Sequence, residues 1–128
     1  IDTPPGGSSY LPQALQASDI ALCALLPDAA SFVTLTAMAR WYAEAMQTNP
    51  ALRGYYLLNR MNSARVLCRD VGTALSRDLG DRLLPIEINF DSAVEEALAT
   101  QSPILKYAPD SPASRDFMLM ADWLAKLP

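Results

Sequence analysis

Three short apolar runs, each closed by turn signals and joined by stretches of helical periodicity, limit what this chain can fold into. The first is Asp19-Ile20-Ala21-Leu22-Cys23-Ala24-Leu25-Leu26, bounded by polar residues and Pro27. A continuous run of this kind reads as a strand covered on both faces, as in a parallel sheet. The second, Gly54-Tyr55-Tyr56-Leu57-Leu58, runs into Asn59-Arg60. The third is Leu83-Leu84-Pro85-Ile86-Glu87-Ile88, where Pro85 argues for an edge position or a strand end. Between the first two, Asp28 opens a helix to about Gln47. Its apolar face is Phe32, Leu35, Ala39, Tyr42 and Met46, and Asn49-Pro50 ends it. Between the second and third, Ser63 caps a helix in which Leu67, Val71, Leu75 and Leu79 recur every fourth residue before Gly80.

The two ends extend the pattern. Ile1-Asp2 followed by Thr3-Pro4-Pro5-Gly6-Gly7 reads as a strand end that delivers a carboxylate to the carboxyl edge of a sheet. The glycines allow a sharp turn and a close approach to a phosphate. Ser8 or Ser9 then caps a short helix to about Ala17. After the third run, Asp91 or Ser92 begins a helix, with Ser92 and Glu95 at capping-box spacing. Ser102 to Pro109 is an irregular connection. Ser111-Pro112 starts the last helix, cap followed by proline, with Phe117, Met120, Ala121, Leu124 and Leu127 on its apolar face. The order strand, helix, strand, helix, strand, helix, strand, helix, helix predicts an α/β fold with a doubly wound, mostly parallel sheet.

Composition narrows the function. The 128 residues are 51% apolar and 19% charged, which suits one modest globular domain. A net charge of −4 argues against a nucleic-acid surface. No apolar run reaches the ~20 residues of a membrane span. Without histidine, and with Cys23 and Cys68 far apart, there is no zinc ligand set; two buried free thiols suit a reducing cytoplasm.

These motifs together resemble the second half of a MinD/ParA-type ATPase, a P-loop NTPase. The Asp-Thr-Pro-Pro-Gly turn, the strand ending Leu25-Leu26-Pro27-Asp28, the strand ending Leu57-Leu58-Asn59-Arg60 and the Leu84-Pro85 strand carry the resemblance. Leu26-Pro27-Asp28-Ala29-Ala30-Ser31, Arg82-Leu83-Leu84-Pro85, Asp91 to Ala99, Pro103 to Tyr107 and Asp110-Ser111-Pro112-Ala113 narrow it to the cellulose-biosynthesis (BcsQ, also YhjQ) branch. The resemblance covers essentially the whole chain.

The resemblance implies ATP and magnesium as cofactors. Asp2 is then the Walker-B acid beside the metal, in contact directly or through water. Thr3, Pro4, Pro5 and Gly6 are the switch segment that senses the terminal phosphate. Asn59 reads the adenine edge, Arg60 lies beside it, and Pro85 lies where the family closes a loop over the base. An amide suits that role, because it offers a donor and an acceptor. The resemblance further implies a cytoplasmic protein at the inner face of the membrane or the cell pole, a homodimer around ATP, and partners among the cellulose synthase operon proteins. The family's Gly-rich phosphate loop is missing: no Gly-x-x-x-x-Gly-Lys-Ser/Thr occurs in these residues. The chain therefore reads as a C-terminal part that should not hydrolyse ATP alone. The alternatives are a truncated interaction module and a ParA-type partition relative. Arg60 and Arg65 could also face phosphates or partners. With neighbouring strands absent, the strand Ile20 to Leu26 presents a flat apolar edge, which favours aggregation or oligomerisation.

Overall fold

A computed structural model describes residues 1–4 and 6–127. Each apolar run becomes a strand: β1 spans Ile20–Leu25, β2 Arg53–Met61 and β3 Leu83–Asn89. All pair in parallel in the order β1-β2-β3, and β1 lies against β2 from Ile20↔Arg53 to Leu25↔Leu58. The helices are α1 Leu11–Gln16, α2 Ala30–Thr48, α3 Val66–Leu79, α4 Ser92–Ala99, α5 Ile104–Tyr107 and α6 Pro112–Ala125. No described helix is long and apolar enough to cross a membrane.

Helices lie on both faces of the sheet, but β1, expected to be covered on both, is left open on the second, where Leu22 and Ala24 are exposed. On one, Leu25, Tyr56, Leu58 and Met61 meet Met38, Tyr42 and Ala45 of α2, Val71, Leu75 and Leu79 of α3, and Leu11 and Leu15 of α1. On the other, Leu57, Leu84 and Ile88 meet Phe117, Met120 and Trp123 of α6, with Tyr55 edge-on to Trp123 at 5.0 Å. Right-handed crossovers put α2 and α3 on the same side, because both connections step the same way across the sheet. Pro85 lies on the edge strand expected for it, exposed, where β2 advances two residues against four of β3.

Several expectations need correction. Residues Ile1 and Asp2 form no strand, and Ile1 is 89% exposed. One apolar residue before an acid gives little ladder, and Pro4 has no N–H to extend it. The helix near Ser8 begins at Leu11 without a side-chain cap, because Pro12 at its first turn presets the backbone there. Ser63 does not cap α3, which starts after extended Arg65. Of Asp91 and Ser92, both offered as the start of α4, Asp91 is the cap. A one-turn helix, α5, forms inside the connection expected to be irregular.

Two helix faces are rotated. In α2 the buried face is Ser31, Met38, Tyr42 and Ala45, while Ala39 and Met46 are exposed. Ser31 is drawn inward because its hydroxyl donates to the Leu26 carbonyl at 2.6 Å. In α3, Leu67 is 57% exposed and Cys68 takes the inner position. A four-residue step overshoots a turn by about 40°, so three such steps carry Leu67 about 120° from Leu79. Leu67→Ser is expected to change stability by less than about 0.5 kcal/mol in urea unfolding.

Candidate functional site

Parallel strands bring all their carboxyl ends to one edge, so the loops after β1, β2 and β3 share it. After β1, the carboxylate of Asp28 is engaged: its Oδ1 accepts the Ser31 amide at 3.1 Å and starts α2. The Met61 carbonyl accepts the Phe90 amide at 2.7 Å, so the loops leaving β2 and β3 begin side by side.

The residues nearest that edge carry the distinctive geometry. Asn59 and Arg60 lie inside β2 rather than after it, because the strand runs on to Met61. Between Leu58↔Glu87 and Met61↔Asn89, β2 has one residue more than β3. Arg60 absorbs it at φ +57, a left-handed conformation uncommon outside glycine. Strained positions of this type cost about 1–3 kcal/mol and gather at functional sites. Asn59 is half-buried, and its Oδ1 accepts the Arg60 amide at 2.9 Å. Its Nδ2 donates no hydrogen bond among the described residues.

Arg60 is doubly held. Its Nη2 donates to Glu95 Oε1 at 3.0 Å, and its guanidinium lies 5.3 Å from the centre of the Phe90 ring. Both charged partners are more than half exposed, so the ion pair contributes little energy and mainly sets direction. Behind this edge, Asp116 of α6 accepts both the amide and the side chain of Asn89, at 2.9 and 3.0 Å. Asp91 accepts from Ala93 and from Ala113, and those backbone donors hold its carboxyl below the ordinary carboxylate range.

The arrangement offers an amide with a spare donor, an exposed aromatic ring and a guanidinium. It contains no nucleophile paired with a base. Glu95 and Phe90 are the partners that sequence reasoning missed. Glu95 lies 35 residues from Arg60, beyond any local signal. Pro85 lies within β3, not in the loop at this edge.

The N-terminal candidates are elsewhere in character. Asp2 is exposed and Thr3 half-buried, and no described hydrogen bond or ion pair ties either to Asn59 or Arg60. Pro4 is exposed, and Pro5 lies outside the described residues. Gly6 turns at φ +81. Gly7 makes the close approach expected of these glycines, but to Trp41: an added Cβ would stand 2.6 Å from its ring. Among the described residues no three His, Cys, Asp or Glu side chains converge as a metal site. The residues present therefore fit the base end of a nucleotide, and do not by themselves make a site for magnesium. Cys23, half-buried, has its thiol pushed up to about 11 by burial, and Cys68 is buried; both are free.

The family model for cellulose biosynthesis protein BcsQ matches residues 1–125. The chain belongs to that family. No curated protein matches the chain. Membership of the BcsQ family accounts for the order of strands and turns from which the resemblance was read, and it associates the chain with cellulose biosynthesis.

Proposed function

We propose that this BcsQ-family chain is an ATP-binding accessory protein of bacterial cellulose biosynthesis that supports placement or assembly of the cellulose synthase complex. The observation that carries the reading is Asn59, half-buried toward the carboxyl end of a central parallel strand with its amide donor unspent. Ligands of open α/β sheets bind at that edge, and an amide there can read a purine. Arg60 follows it in the strand, with its guanidinium 5.3 Å from the centre of the Phe90 ring. In this reading Asp2 stands near magnesium, which is usually held by one or two carboxylates together with phosphates and waters. Thr3, Pro4, Pro5 and Gly6 sense the terminal phosphate, and Pro85 lies behind the base loop. The working form is a homodimer around ATP, in the cytoplasm at the inner face of the membrane or the cell pole, with cellulose synthase operon proteins as partners.

A second reading is a docking module without nucleotide chemistry. It is favoured by the lack of any Gly-Lys-Ser/Thr loop in these residues. Titration of the purified chain with a fluorescent ATP analogue and magnesium separates the two. Saturable binding is expected, weakened roughly tenfold by Asn59→Ala, the scale of one lost hydrogen bond. Asp2→Ala should weaken it only when magnesium is present. No binding from a folded chain would leave the docking module.

A further inference from the structure

The first turn of α3 faces solvent with side chains that solvent does not favour. Val66 and Leu67 are 60% and 57% exposed, although the same helix buries Cys68, Val71, Leu75 and Leu79. Two branched aliphatics side by side on an outer helix surface contribute nothing to this core. Arg65 and Arg69 flank Val66 one turn apart, both exposed. The ion pairs among the described residues use Arg40, Arg60 and Arg77, which leaves Arg65 and Arg69 without a carboxylate. The Arg69 guanidinium donates to the Ser63 carbonyl. That bond turns it back along the Asn62–Arg65 turn, which is itself fixed by Asn62 accepting the Ala64 and Arg65 amides.

Charge selects the partner. From Gly54 to Arg69 there are three arginines and no acid, in a chain of net charge −4. Arginine beside exposed aliphatics is the composition of a protein interface, where a guanidinium can grip a carboxylate with two parallel hydrogen bonds. A nucleic acid would call for a broader basic face than two arginines one turn apart on an acidic chain offer. Electrostatic attachment to an anionic membrane takes clusters of about 4–8 basic residues.

We propose that the first turn of α3 is a docking surface for an acidic, aliphatic-bearing segment of a partner protein. Arg65 and Arg69 take its carboxylates, and Val66 and Leu67 take its apolar side chains. Arg60, tied to Glu95, takes no part in this surface.

The test is fluorescence anisotropy at low salt with a labelled helical peptide built from Glu, Leu and Ala, beside a version with Lys in place of Glu. The acidic peptide is expected to saturate, and the Lys peptide to show no binding. Arg65→Glu with Arg69→Glu should weaken binding at least tenfold, and Val66→Ser with Leu67→Ser several-fold. All four positions are exposed, so circular dichroism and binding of the ATP analogue should stay at the wild-type level. Raising the salt should weaken binding, because the contact is charged and exposed. Absence of saturable acidic-peptide binding overturns the proposal, as does equal binding by wild type and the double Glu variant. Arginine-dependent binding of phosphatidylglycerol vesicles or of duplex DNA, with no peptide binding, would overturn it in favour of that occupant.

Discussion

Gly54→Ala is expected to destabilise the chain by about 2–3 kcal/mol, the scale of an overpacked core. The sign is not obvious in advance. Glycine in a strand is unfavourable on entropic grounds, and alanine normally improves it. Here the ring of Tyr42 lies across the strand: a Cβ at Gly54 would stand 2.7 Å from Cδ2, 2.8 Å from Cε2 and 2.9 Å from Cγ. The ring has no free direction in which to retreat. Tyr42 is 4% exposed and edge-on to Tyr56 at 5.7 Å. Its hydroxyl donates to the Tyr55 carbonyl at 3.2 Å and reaches the Ala21 carbonyl at 3.4 Å, and burial pushes its ionisation well above the ordinary value. Sterics therefore outweigh entropy. Urea unfolding would show a lowered midpoint with an unchanged slope. Combining Gly54→Ala with Tyr42→Leu should cost less than the sum of the two, since the truncated side chain vacates the space the methyl needs. An unchanged or raised midpoint for Gly54→Ala alone would mean that the ring shifts freely.

That contact illustrates where sequence reading reached its limit. A small residue at the start of an apolar run was visible, but the ring that requires it comes from α2, twelve positions away and on another element. The three strands were legible because buried parallel strands are continuous apolar runs, and Pro85 marked its edge correctly. The ends of helices were less legible, since prolines and extended residues competed with the serines that resembled caps. Ser63 lost to Arg65, and Ser92 to its neighbour Asp91. Helix faces went astray where an every-fourth pattern was followed past its geometric range, as at Leu67. At the candidate site, Asn59 and Arg60 were legible as polar residues following an apolar run, but not as residues inside the strand. The extension of β2 to Met61, the left-handed turn at Arg60 and its partners Glu95 and Phe90 were not, because each depends on register against β3. The turn at Gly6 was legible as backbone chemistry. The neighbour of Gly7 is a tryptophan ring, and no residue near it in sequence announced that.

Asp91→Ala is expected to cost about 2–4 kcal/mol, a large effect for one half-buried carboxylate. Its Oδ1 accepts the Ala93 amide at 3.0 Å and caps α4, while its Oδ2 accepts the Ala113 amide at 3.1 Å in the first turn of α6. Losing a cap typically costs about 1 kcal/mol. The second loss is heavier, because Ala113 is fully buried and its orphaned N–H has no water to turn to; a buried unpaired donor costs about 1–3 kcal/mol. Ser111 cannot replace Asp91, because its Oγ already accepts the Ser114 amide at 3.2 Å. The effect also has a pH signature. The Ala113 amide first, then the Ala93 amide and the Ser111 hydroxyl, hold the Asp91 carboxyl below its ordinary value near 3.8. A carboxyl depressed in the folded state binds protons more readily in the unfolded chain, so its stabilisation is present above the unfolded pKa. It fades as pH falls below that value toward the folded one. The difference in unfolding free energy between wild type and Asp91→Asn should therefore be constant from neutral pH down to about 5 and shrink below about 4. A difference that grew on acidification would mean that the carboxylate is not what joins α4 to α6.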